Sequence, residues 1–373
     1  MRLTPRSKAV PFCPRSDRSE ESQWLMKLHT YGLLRNSFRL AETMEGVRTI
    51  WRLRDRHVKQ AGRSVQHMQK ALTKMNVQLA NVISDISGVS GQAIIAAILK
   101  GERDPYKLAD LKHERVQASR EEVARSLEGN WRPDVLFELQ QAVDSYQFAH
   151  RQIQECDTKL EAYLAMLPTR VIQVADQPDL QPAAVERQAK KPKKPKKPRG
   201  NAPALDLAGE LKRISGVDLT SIDGIDVMTA QTILSELGTD LSAFPTENHF
   251  ASWLGLTPSK DISGGKVIGR SRRTVQNRVA TSLRMAASTL LNSKSYLGGR
   301  YRHLRKHLPN YAAAVKAMAH YLALLVYRML TKGQAWVDRG AAKFEQRRAE
   351  RELSSLKAKA FAQGFKLVPI AEA

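Results

Sequence analysis

Apolar residues recur by threes and fours from Met44 through Val47, Trp51, Val58, Ala61, Val65, Met68, Leu72, Met75 and Leu79 to Val82, and only Arg54 breaks the pattern. A period of 3.5 residues held this long keeps one narrow stripe in register with another helix, which few architectures can satisfy. At the rise of an α-helix the run predicts a single rod of about 58 Å. A second run keeps the same frame through Leu136, Leu139, Val143, Tyr146, Ile153, Leu160, Leu164 and Leu167, with His150 and Asp157 in two of its seam positions. The two runs could pair within one chain or zip between chains, as a coiled coil or as two members of a bundle. Shorter helical patterns at 92–99, 105–111 and 120–127 lie between them, the last opened by Ser119 with Glu122 in capping-box spacing. The expected fold is therefore mainly α, with a long antiparallel coiled-coil stalk (41–167) carrying a small helical head.

After Leu167 the chain changes character. Pro168, Pro178, Pro182, Pro192, Pro195 and Pro198 oppose helix, and the Lys pairs between the last of them repel one another, so 168–203 is read as a linker. A helical domain is expected over 204–338, from patterns at 228–237, 278–291 and 311–330, followed by a charged helix within 339–373. A chain of 373 residues exceeds a single core of roughly 250–300 residues, in keeping with several units.

Sixty Lys and Arg against 37 Asp and Glu leave a formal charge of +23, which argues for a polyanionic partner. The run from Lys190 to Arg199 holds seven of those cations, so folded surface carries most of the excess. Cys13 and Cys156 are the two cysteines, far apart and outside any C-x-x-C, which suits a reducing, cytoplasmic compartment and excludes a cysteine zinc site. The most membrane-like stretch, 311–330, is interrupted by Lys316, His320 and Arg328, and no membrane partner is expected.

The densest positive charge lies between Ser259 and Lys306, where twelve cations face the single Asp261. Within it, Ser263-Gly264-Gly265-Lys266 reads as a flexible loop. A serine beside glycines, with Lys266 and Arg270 near, has the groups needed to attack a phosphodiester and to stabilise the charge on its oxygens, although Ser-Gly-Gly is also an ordinary turn. This reading predicts that the Ser263 hydroxyl sits in a cationic pocket. Arg272, Arg273, Arg278 and Arg284 are placed as nucleic-acid contacts by charge density alone. Upstream, Ile222-Asp223-Gly224-Ile225-Asp226 resembles a helix-hairpin-helix, in which Gly224 would turn backbone N–H groups toward a phosphate, although such turns also join ordinary packed helices.

Several separated motifs carry a more specific likeness. Ala251-Ser252-Trp253-Leu254-Gly255-Leu256-Thr257-Pro258, then Ser263-Gly264-Gly265-Lys266, Gly269-Arg270 and Leu283-Arg284-Met285-Ala286, resemble the carboxy-terminal domain of the IS-one-ten insertion-sequence transposases. Asp17, Gln23-Trp24-Leu25, Tyr31-Gly32-Leu33-Leu34-Arg35 and Gln66-His67-Met68-Gln69-Lys70-Ala71-Leu72 resemble the segment that leaves that family's RuvC-like domain and enters its coiled coil. The resemblance implies a DNA recombinase, assembled as a homo-oligomer, whose target choice is guided by a structured RNA. It implies Ser263 as the nucleophile and a DEDD carboxylate set holding Mg²⁺. Of that set, Asp17 and Glu20 keep the spacing of the last two members; anchoring on Trp24 instead puts Glu21 last and Arg18 in place of the earlier Asp. The two other carboxylates would precede Arg15, so residues 1–40 are expected to be a remnant of the ribonuclease-H-like domain, with the chain inactive alone. The rival reading is a coiled-coil protein that binds nucleic acid without catalysis.

Overall fold

A computed structural model describes residues 18–33, 38–171, 202–203, 205–257, 259–264, 266–271, 276–333 and 340–365. The chain divides into two units, 1–40 and 41–373. The first contains α1 (Arg18–Thr30), closed where the Leu33 N–H donates to the Leu28 carbonyl across Gly32 in the left-handed conformation.

The second unit opens with α2 (Glu42–Lys74). After it come α3 (Leu79–Val82), α4 (Val89–Leu99), α5 (Pro105–Ala109), α6 (Arg120–Ser126) and α7 (Pro133–Ala165). Helices α2 and α7 lie side by side and antiparallel within one chain: Lys74 meets Glu138 at 2.6 Å, Arg54 meets Asp157 at 2.5 Å, and Tyr163 lies against Gly46. Their seam buries Met44, Val47, Trp51, Ala61, Met68 and Leu72 against Leu139, Val143, Ile153, Leu160 and Leu164, as the heptad spacing predicts.

The exceptions to the heptad explain one another. Arg54, only 2% exposed, donates from Nε and Nη2 to the two carboxylate oxygens of Asp157, and its guanidinium stands 5.5 Å from the Trp51 ring. Each charged residue in the seam thus satisfies the other in fork geometry. His150 stacks on Tyr146 with ring centroids 4.4 Å apart, and burial pushes its pKa below the ordinary value.

The single rod expected from Met44 to Val82 is not continuous. Helix α2 stops at Met75, and Asn76 takes a left-handed φ of 60°, a conformation asparagine tolerates better than most residues. The periodicity persists beyond the break because Met75 and Leu79 stay in the core that Met68, Leu72, Leu139 and Val143 carry up from the seam. With Val77, Ile83, Ile86, Ile94, Ile98, Leu108 and Leu127 they form the interior of the helical head. There α6 carries the predicted capping box, with the Ser119 hydroxyl accepting from the Glu122 N–H and the Glu122 carboxylate accepting from the Ser119 N–H.

From residue 205 the chain builds α8 (Leu207–Ser215), α9 (Val227–Leu237), α10 (Glu247–Trp253), a hairpin of β1 (Ser259–Ser263) and β2 (Lys266–Ser271), α11 (Arg278–Thr289), α12 (Tyr296–His307), α13 (Tyr311–Lys332) and α14 (Gly340–Ala362). Helix α13 is the hub: Ala314, Val315, Met318, Ala319, Leu322, Val326 and Met329 are buried, and α10, α11 and α12 pack around it. By length and composition it could cross a membrane, yet most of it is enclosed by its neighbours. Arg328 grips Glu247 of α10 through two hydrogen bonds of 2.6 and 2.7 Å, which hold the Glu247 carboxyl below the usual range. The first residues of the segment read as a linker are anchored rather than free. The Arg170 N–H donates to the Arg213 carbonyl, and Arg213 donates back to the Leu164 and Leu167 carbonyls at the end of α7. The remainder, 172–201, lies outside the described residues.

Two outcomes test these contacts. Removing one partner of the buried seam pair, in Asp157→Ala, should cost about 3 kcal/mol, while Arg54→Leu with Asp157→Leu should cost less than the sum of the single changes, as read by a denaturation double-mutant cycle. Glu247→Gln should cost about 1 kcal/mol at neutral pH, a value discounted for partial exposure. Because the folded carboxyl titrates below its ordinary 4.5, its stabilisation is complete above that pH. The gap between wild type and Glu247→Gln should therefore shrink as pH falls below it.

Candidate nucleic-acid interface

The glycine loop is the turn of a hairpin. Ser263 pairs with Lys266, Ile262 with Val267, Asp261 with Gly269 and Lys260 with Arg270, with an irregularity between Asp261 and Ile262. A two-residue glycine connection between short runs is a hairpin signal, and Gly264 takes the positive φ, +54°, that such turns require. A flexible loop was expected here; the strands escape sequence reading because Ser259-Lys260-Asp261-Ile262-Ser263 contains one β-branched apolar residue. Ser263, Gly264 and Lys266 are all exposed, and a side chain built on Gly264 would meet nothing within 4 Å. Backbone can therefore approach a ligand closely beside the hydroxyl.

The described cations of this stretch have several different settings. Lys266 stands across the hairpin turn from Ser263. Arg272, Arg273 and the Arg270 side chain lie outside the described residues. Arg278, the first residue of α11, reaches Asp55 of α2 at 3.1 Å and Glu236 of α9 at 3.9 Å. Arg284 donates to the Thr281 hydroxyl. Three others are engaged with their own domain: Arg300 stacks 3.9 Å from the Tyr321 ring centroid, Arg302 donates to the Leu291 and Ser293 carbonyls, and Arg305 lies over Tyr311. Charge density overstated the free positive surface because several arginines serve neighbouring carbonyls, rings and carboxylates.

Between α2, α9 and α11 an open cleft of about 880 Å³ is lined by Asp55, Lys59, Asp226, Thr229, Arg278 and Arg284 among others. Ser263 is not among the residues lining this cleft; the short hairpin carries it to an exposed tip.

Gly224 lies in the turn before α9, at φ +88°, and a Cβ there would come within 2.8 Å of the Ala286 carbonyl oxygen of α11. Asp226 follows as N-cap, accepting from the Thr229 N–H. The missing side chain at Gly224 lets the turn close on α11, which gives this residue a packing role. The same helices dock the stalk: the Trp51 indole N–H donates to the Thr232 hydroxyl, and Arg52 binds both carboxylate oxygens of Glu236 at 2.8 and 2.5 Å. No spacing signal joins residues so distant in sequence, and Trp51, Arg52, Asp55, Thr232 and Glu236 were missed as an interface. Only the broken heptad at Arg54 hinted at polar demands on that part of α2.

Among the described residues no group of three or more His, Cys, Asp or Glu side chains could hold a metal ion. Asp17 and the Glu20 side chain lie outside the described residues, so this observation does not bear on the carboxylate set.

The segment from the turn before α9 to the middle of α13 is what known proteins share. Residues 218–320 match the family described as Transposase IS116/IS110/IS902. This stretch is similar to the transposases of that family. A curated relative from Streptomyces coelicolor, the insertion element IS110 uncharacterized 43.6 kDa protein, is 28% identical over 128 residues, which are 34% of this chain and 31% of the relative. The alignment thus spans about a third of the relative it matches. The matched segment takes in Gly224, the cleft-lining ends of α9 and α11, the hairpin with Ser263, and α12.

Gly224→Ala should destabilise the packing of α9 on α11 by more than about 1 kcal/mol, through both the left-handed backbone and the approach to α11. Thermal unfolding of the variant checks this, and an unchanged midpoint would remove the packing role.

Proposed function

We propose that this chain acts on the DNA of an insertion sequence as a recombinase, binding DNA and a structured guide RNA and using Ser263 as nucleophile. The observation that carries the reading is the exposed Ser263 hydroxyl at a glycine turn, paired with Lys266, inside the 218–320 transposase domain. The Ser263 oxygen attacks phosphorus, an Oγ–P bond forms as the bond from phosphorus to the departing sugar oxygen breaks, and the hydroxyl proton is passed through solvent to that sugar oxygen, which leaves as a hydroxyl. The energy of the phosphodiester is kept in the covalent adduct, so a second sugar hydroxyl can reseal the strand without an external energy source. Lys266 holds a non-bridging oxygen and stabilises its developing charge. Arg270, Arg272 and Arg273, beyond the turn in sequence, extend the phosphate contacts. Arg278 and Arg284 add a second contact region at the cleft, where Arg278 must exchange Asp55 for phosphate. The carboxylates Asp17 and Glu20 and their Mg²⁺ stand as the family's expectation, and no step above depends on them. Assembly as a homo-oligomer, which would hold two duplexes together, belongs to the same proposal, as do a cytoplasmic setting and the division into stalk, linker and carboxy-terminal domain.

The test uses the full chain with labelled duplexes bearing the element's ends and with RNA transcribed from its non-coding flank. Denaturing gels should show a protein-linked DNA strand that Ser263→Ala lowers at least about a hundredfold, with duplex retention within about twofold of wild type. Lys266→Ala should weaken binding and reduce the salt slope of its logarithm by about one. Retention without any adduct in the wild type would leave the non-catalytic binding protein as the better account, and an adduct that survives Ser263→Ala would assign the nucleophile elsewhere.

A further inference from the structure

Helix α14 uses one side and leaves the other open. Ala341, Phe344 and Arg348 are half-buried where the helix crosses α12, with Phe344 edge-on to Tyr296 at 5.3 Å and against Gly299. At about 100° per residue, Ala349, Leu353, Leu356 and Ala360 form a stripe turned roughly 120° away from that side. Leu353 and Leu356 are 51% and 55% exposed. Spacing of four, three and four is that of a helix-pairing seam rather than of scattered surface residues.

The charges beside this stripe are complementary to themselves. Glu350 and Glu352 flank its amino-terminal half and Lys357 and Lys359 its carboxy-terminal half. Laid antiparallel about a two-fold axis between Ser354 and Ser355, two copies bring Leu353 onto Leu356, Ala349 onto Ala360 and Gln346 onto Gln363. Glu350 then faces Lys357 of the second copy, and Glu352 faces Lys359, on both edges of the seam. Glu352, already paired with Arg348 one turn earlier, is 57% exposed and can be shared. A parallel pairing would keep one opposite-charge contact, Glu352 against Lys357, but set Glu345 against Glu350, a like-charge contact, so the antiparallel arrangement matches more charges. The helix closes just after the seam, where the Phe365 N–H donates to the Ala360 carbonyl across Gly364.

We infer that α14 is a self-recognition element, and that a second copy of this chain covers the Leu353/Leu356 stripe by antiparallel pairing of the two α14 helices. The seam from Ala349 to Ala360 is only about 18 Å long, so the contact belongs with weak, concentration-dependent interfaces. It stands whether or not Ser263 is a nucleophile, since it rests on a different helix and a different chemistry.

Sedimentation of the full chain from about 1 to about 100 µM should show a rising dimer fraction. Glu350→Lys with Glu352→Lys should raise the midpoint at least about tenfold, and adding Lys357→Glu with Lys359→Glu should restore it. Direction is read by cross-linking in a Cys13→Ser background: Gln346→Cys mixed with Gln363→Cys should form a disulfide-linked dimer on oxidation, and Gln346→Cys alone should not. A chain that stays monomeric, a dimer indifferent to the charge reversals, or cross-linking of Gln346→Cys with itself would each overturn the inference.

Discussion

Helix α2 serves two masters, and the rest of the second unit depends on its doing so. One side zips to α7 through the heptad seam, while Trp51, Arg52 and Asp55 tie the same turns of helix to α9 and α11. The buried Arg54 and the half-buried Asp157 lie at the same level, so the helix is fixed in rotation and in translation where α9 and α11 dock. Apolar side chains alone would tolerate slippage by a heptad; a largely buried charge pair does not, because a shifted arrangement leaves both groups partly desolvated and unmatched.

Much of this was written in the sequence at the level of helices. The 3.5-residue period located α2 and α7, a capping box located α6, and core spacing located α13, since each signal is local and repeated. Two failures have a common cause. Asn76 ends α2 although Met75, Leu79 and Val82 keep the period, because periodicity reports which side is buried and not that the backbone is continuous. The hairpin at 259–271 carries too few strand-forming side chains to be read, and its turn was the part that showed.

The site was legible in kind and not in arrangement. Ser263 and Lys266 are neighbours across the turn, as the motif implied. Arg278, Arg300, Arg302 and Arg305, counted as positive charge in sequence, are partly spent on Asp55, on rings and on helix-end carbonyls. Counting charge speaks to the long-range field and not to which side chains are free, because an arginine engaged with a carbonyl still contributes its charge to the field. A duplex approaching this domain would feel the whole excess before it met any single contact.

The seam pair has a mechanical consequence. From the docking turn near Trp51 to the end of α2 at Lys74 the helix runs roughly 34 Å, clamped at its base by polar contacts and along its side by α7. A double rod anchored this way resists bending and twisting far better than a lone helix, so the head behaves as the end of a strut. Whatever load the head bears is delivered to α9 and α11, the two helices whose first turns frame the cleft.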